Sequence, residues 1–172
     1  MGILTGKKGI IFGALNDKSI AWKAAEAAAR EGAEIVLTNT AAAMRFGTTK
    51  ELGEQLHAPV IAADATSVND LEALVDSAIA HFGGQFDFVL HSVGMSPNIR
   101  KNIPYENINY DLMGKTIDIS ALSWHKLLQV LYQKDAIRKG GSVVALSYIA
   151  ADRVVSGYSD MADAKALLQS IT

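Results

Sequence analysis

The sequence holds no cysteine among its 172 residues. That absence excludes a disulfide scaffold, thiol catalysis and any thiolate metal site. No excess of basic charge is present either: Lys and Arg number 16 against 18 Asp and Glu, a formal net charge of -2. A general nucleic-acid binder would be visibly basic, so that class is set aside. No run reaches the roughly 18 consecutive apolar residues that a membrane-spanning helix needs. The first six residues lead into Lys7-Lys8 and only a short apolar run, without the architecture of a signal peptide. We expect a soluble, cytoplasmic protein. No two histidines stand at the i,i+4 spacing of a helical metal site, and neither G-x-G-x-x-G nor G-x-S-x-G occurs.

What is present suits a packed core, with 49% hydrophobic and 20% charged residues. Short apolar runs alternate with longer helical stretches. Residues 9–12, 34–38, 59–62, 86–90 and 141–147 read as strands. The first has no polar alternation, which suits a strand buried on both faces. Helices are expected at 19–31, 48–56, 68–83, 110–133 and 161–171, with Ser19 and Ser67 as caps. Residues 95–109 carry two prolines and four asparagines and read as a long loop. Alternating strands and helices imply β-α-β units, hence an α/β, Rossmann-like doubly wound parallel sheet in one dinucleotide-binding domain, 1–172. Such sheets bind ligands outside the carboxyl ends of their strands.

Those ends carry the candidate residues. After the first strand, Gly13 allows a sharp turn, and the next helix offers free N–H groups to a phosphate, with the Ser19 hydroxyl beside them. The same residues would also make an ordinary strand-to-helix turn. Asp64-Ala65 follows the third strand, where an acid could accept from an adenine amino group, or could simply form a turn. Ser92-Val93-Gly94 follows the fourth, and Gly94 would permit a cofactor to come close. The second strand ends Thr38-Asn39-Thr40, with no acid for a ribose hydroxyl and no cation nearer than Arg45. That points to NADH without excluding NADPH. Tyr148 closes the fifth strand, and Tyr158 and Lys165 would share a helix face, where the ammonium favours a phenolate. Taken alone, the tyrosines read better as packing residues and Lys165 as a solvated helix charge.

Together, Gly13-x5-Ser19-Ile20-Ala21, Asp64-Ala65, His91-Ser92-Val93-Gly94, Leu146-Ser147-Tyr148 and Tyr158-x2-Met161-x3-Lys165 resemble the bacterial enoyl-[acyl-carrier-protein] reductases, a divergent branch of the short-chain dehydrogenases/reductases. Ordinary members of the wider group carry tyrosine four residues before the lysine, where Met161 stands here, and Asn-Ala-Gly where Ser92-Val93-Gly94 stands. Both departures match the narrower branch. An ordinary carbonyl reductase, or a nucleotide-binding module without turnover, is the alternative.

The resemblance implies reduction of a trans-2 double bond on acyl carrier protein in fatty-acid elongation. Tyr158 would hydrogen-bond the enolate oxygen, Lys165 would hold the nicotinamide ribose, and Tyr148 would line the pocket. Gly13, Ser19, Ile20, Thr40, Asp64, Ala65, Ser92, Val93 and Gly94 would contact the dinucleotide, with Thr40 departing from an expected glutamine. Ser96, Tyr148, Tyr158 and Met161 would meet the substrate. No metal is implied, and a homotetramer is. Relatives continue well past Lys165 with two more strands and a mobile substrate loop, so we expect a sheet lacking its C-terminal strands, with an unpaired edge.

Overall fold

A computed structural model describes residues 2–171. Five strands form one sheet: β1 (Lys8–Phe12), β2 (Glu34–Asn39), β3 (Val60–Ala62), β4 (Phe86–His91) and β5 (Ile137–Ala145). Their order is β3-β2-β1-β4-β5, and every pair is parallel. This is the expected α/β, Rossmann-like architecture. The chain leaves β1 toward β2 and returns to the other side of β1 at β4. The strand order therefore reverses between β1 and β4, where doubly wound sheets place their ligand crevice.

Both faces of the sheet are covered, which explains the unbroken apolar runs. Ile10, Phe12 and Val36 join α4 (Val68–Phe82), α7 (Ser123–Gln133) and Leu168 of α8 (Ser159–Ile171) in one core. Ile11, Ile35 and Leu37 join α1 (Ile20–Arg30) and Leu52 of α3 (Thr49–Leu56) in the other. Successive residues of β1 thus point into opposite cores, and a polar residue at either position would be buried.

Several boundaries differ from expectation. A short helix α2 (Ala41–Phe46) lies between β2 and α3, capped by the Thr40 hydroxyl, which accepts from the Ala43 amide at 3.1 Å. Three alanines in six residues carry too little periodicity to announce it. The segment 95–109 is not a plain loop: α5 (Pro97–Arg100) and a 3-10 turn (Tyr105–Asn107) occupy it. The long helix expected at 110–133 is α6 (Tyr110–Ile117) and α7 joined by a π-helical stretch, Asp118–Leu122. β5 begins earlier than expected, at Ile137, because a bulge with Gly140 at φ +82° sits between its Phe86 and Phe88 pairings. Among the described residues β5 forms one sheet edge, and Val144 is half exposed there. No helix among them is long and apolar enough to cross a membrane.

Candidate active site

The crevice begins at Gly13, directly after β1. Its φ of +94° lies in the region that favours glycine, and a Cβ there would collide with the Ser92 carbonyl oxygen. Gly13 therefore lets the exits of β1 and β4 touch. Ser19 stands at the N-cap of α1 but does not cap it as expected. Its hydroxyl donates to the Asn16 carbonyl at 2.6 Å and accepts from the Leu15 amide at 3.2 Å. The serine shapes the loop, and no side chain closes the start of an 11-residue helix. That start keeps its dipole and its N–H groups for an anion. Ile20, its first residue, is mostly exposed.

Two further strand ends flank this loop. Asn39 donates to the Ala14 carbonyl at 3.2 Å, and the buried Thr49 hydroxyl donates to the same oxygen at 2.7 Å. Thr40 is occupied with α2. Asp64 accepts from both the amide and the hydroxyl of Thr66 at 2.8 Å through one oxygen. It is thus a turn-forming acid that remains exposed, beside a buried Ala65.

On the other side of Gly13 lie the ends of β4 and β5. Lys165 reaches them from α8, which corrects the reading of a solvated charge: the residue is only 6% exposed. Its ammonium donates to the Leu146 carbonyl at 2.8 Å and to the Val93 carbonyl at 3.2 Å. Burial pulls its pKa down to about 8. Two of the three ammonium donors are used, so one stays available. Gly94 fits against this group; a Cβ would sit 3.6 Å from the Lys165 Nζ and 3.7 Å from the Met161 Cε. Met161 is buried one turn before Lys165 on α8.

Tyr148 and Tyr158 meet at the same rim, their ring centroids 4.4 Å apart at 31°. Tyr148 is 44% exposed and Tyr158 half-buried. The expected phenolate is corrected: burial first, and the neighbouring Tyr148 second, hold the Tyr158 phenol above its ordinary value. No effect of Lys165 opposes this. Tyr158 precedes α8 rather than lying within it, so the two do not share a helix face in the simple way expected. A protonated phenol is a hydrogen-bond donor at neutral pH, which is the form a developing oxyanion needs.

A family model for enoyl-(acyl carrier protein) reductase matches residues 13–172. The chain belongs to that reductase family. It is 34% identical over 171 residues to an NADH enoyl-[acyl-carrier-protein] reductase of Rhizobium meliloti, covering 98% of this chain and 61% of the relative. The crystal structure of FabI from Alistipes finegoldii is 63% identical with a TM-score of 0.95, covering 98% of this chain and 64% of that one. Its FabI–NADH complex is likewise 63% identical, with a TM-score of 0.96 and coverage of 98% and 59%. The chain thus spans about three fifths of the length of these relatives.

In this reductase-family chain the fourth-strand loop is held by contacts that sequence reading missed. The π-helical stretch turns Ser120 toward Met95, whose amide donates to the Ser120 hydroxyl at 3.0 Å. His91 is fully buried between Phe12 and Trp124 and faces the Ser123 hydroxyl at 3.0 Å. That hydroxyl spends its proton on the Ile119 carbonyl at 2.7 Å, so His91 Nε2 is the donor and Nδ1 is an acceptor without a partner. Burial, then the Lys165 charge, lower its pKa to about 4. It is a neutral packing residue.

Ser96 does not present its hydroxyl to the crevice. The group donates to buried Asp160 at 2.6 Å and accepts from the Ile99 amide at 3.0 Å, capping α5. Asp160 was missed altogether; its sequence signal, an acid in a first helical turn, is shared with Asp70 and Asp111. Among the described residues no cluster of His, Asp or Glu could hold a metal.

Proposed function

We propose that this protein reduces the trans-2 double bond of an enoyl thioester carried on acyl carrier protein, using NADH. The observation that carries the reading is the Lys165 ammonium clamped on the ends of β4 and β5, with one free donor, beside the paired phenols of Tyr148 and Tyr158. The Gly13 turn and the uncapped start of α1 fit a dinucleotide pyrophosphate. Ser19, Ile20, Ser92, Val93 and Gly94 would line its path, and Thr40, Asp64 and Ala65 the adenosine end. When bound, NADH supplies the hydride to the β-carbon of the substrate.

The α-carbon takes its proton from water as the enolate collapses, and the protein's own residues bind, orient and stabilise. The Tyr158 phenol donates to the thioester oxygen and stabilises the enolate charge as it forms. Its raised pKa keeps that proton in place through neutral pH. Lys165 turns its remaining donor to the nicotinamide ribose and so fixes the cofactor relative to the rim. Tyr148, Met161 and the backbone at Ser96 bound the acyl group. We also take residues 1–172 as one dinucleotide-binding unit, acting in the cytoplasm within a homotetramer.

The test is NADH oxidation with an enoyl thioester of acyl carrier protein. We expect Tyr158→Phe to lower kcat at least about tenfold with the NADH Kd unchanged. Unaltered turnover would remove Tyr158 from its role. Lys165→Ala is expected to raise the NADH Kd at least about tenfold; an unchanged Kd would contradict the ribose assignment.

A further inference from the structure

The Asp160 carboxylate is fully buried on the first turn of α8. It accepts three hydrogen bonds from three places: the Ser96 hydroxyl at 2.6 Å, the Asn98 amide at 2.9 Å and the Thr116 hydroxyl at 2.7 Å. Asn98 is itself fully buried and bonds both the carbonyl and the amide of Asn109, at 3.1 and 3.2 Å. The loop after β4, α5, the end of α6 and the start of α8 therefore converge on one side chain, and Asn98 ties the start of α6 to them. No Lys or Arg forms an ion pair with it among the described residues. A carboxylate buried among neutral donors is costly, and an apolar residue would pack there more cheaply.

Ser159 has φ +47°, left-handed backbone for a non-glycine residue, and its buried hydroxyl has no partner. Tyr158 is attached to α8 through this strained joint, and its carbonyl accepts from the Met161 amide at 3.2 Å. A strained residue persists only where its surroundings over-determine it. Three hydrogen bonds on the adjacent residue are such surroundings.

We propose that Asp160 is a positioning residue: by anchoring α8 to α5, α6 and the Ser96 loop, it holds the Ser159 joint in its strained form and thereby aims Tyr158 at Tyr148 on the crevice rim. The proposal rests on the role given to Tyr158 above. Only a carboxylate accepts from all three donors. An asparagine offers one acceptor oxygen, and its NH2 group would face a donor whichever way it turned. Turned toward Ser96, it would leave the Ser96 hydroxyl proton without the acceptor it now has.

The test compares Asp160→Asn, Thr116→Val and Thr116→Ser in the whole protein. The readouts are kcat, NADH Kd, thermal unfolding, and the ring resonances of Tyr158 in a ring-labelled sample. Tyr158 lies against the Tyr148 ring, so its resonances report their stacking. We expect Asp160→Asn to lower kcat at least tenfold with the NADH Kd within twofold, and to move the Tyr158 resonances. Thr116→Val should do the same by a smaller factor, and Thr116→Ser should restore both. Folded variants with kcat within twofold and unmoved Tyr158 resonances would overturn the proposal. So would a loss of kcat matched by an equal loss of NADH affinity, which marks general structural damage. If Asp160→Asn does not fold, the Thr116 pair decides. If the unaltered protein reduces no enoyl thioester, the reductase reading fails, and the Tyr158 resonances alone decide the positioning role.

Discussion

The two halves of the crevice are built differently. On the β1–β2–β3 side, polar groups are satisfied mostly within a few residues: Ser19 with Asn16, Thr40 with Ala43, Asp64 with Thr66, Ser67 with Asp70. On the β4–β5 side they reach across the chain: Lys165 to Val93 and Leu146, Ser96 and Thr116 to Asp160. Local turns can be formed by short sequence stretches before the rest of the fold exists. Long-range bonds exist only once α8 has packed onto the sheet. The first half is shaped mostly by local turns, with Asn39 and Thr49 holding the Ala14 carbonyl from farther along the chain; the second is assembled by tertiary structure.

Gly13 lets the two halves touch, so Gly13→Ala combines a disfavoured φ with a clash against Ser92 backbone. We expect a loss of about 3–4 kcal/mol in urea unfolding. A loss under about 1 kcal/mol would mean that the two strand exits need not meet.

His91 tests the assembled half. Its folded pKa of about 4 lies below the ordinary 6.5. The unfolded chain therefore binds more protons between those values, and stability falls as pH drops from 6.5 toward 4. The expected loss is about 3 kcal/mol from this group. His91→Phe, which leaves Ser123 its bond to Ile119, should flatten that slope in acid unfolding. An unchanged slope would assign acid sensitivity to other groups.

The smallest effect belongs to the local half. Ser67→Ala removes the cap of α4 and should cost about 1 kcal/mol or less in thermal unfolding, with Tyr158 and Lys165 chemistry untouched. A change in kcat would show that the two halves are coupled more closely than their bonding suggests.

Legibility followed the same division. The central strands were readable because burial on both faces demands unbroken apolar runs, as in Ile10-Ile11-Phe12 and Ile35-Val36-Leu37. Ser67 was readable as a cap because its partner, Asp70, is three residues away. The short α2 escaped notice, and Ser19 proved to cap its loop instead of its helix, because competing local acceptors differ by too little for residue type to decide. The burial of Lys165, the raised Tyr158 phenol and the Asp160 anchor were not readable in the sequence; the family resemblance supplied only expected roles for Lys165 and Tyr158.

The sequence by itself determined the alternation of strands and helices, the parallel sheet and the places where the chain must turn, because periodicity and glycine act over a few residues. Tertiary structure alone decided which polar groups lose water and which partners replace it. Lys165 and Asp160 are ordinary helix charges in the sequence. Their character comes from groups 19 to 72 residues away, which only packing brings within hydrogen-bond distance.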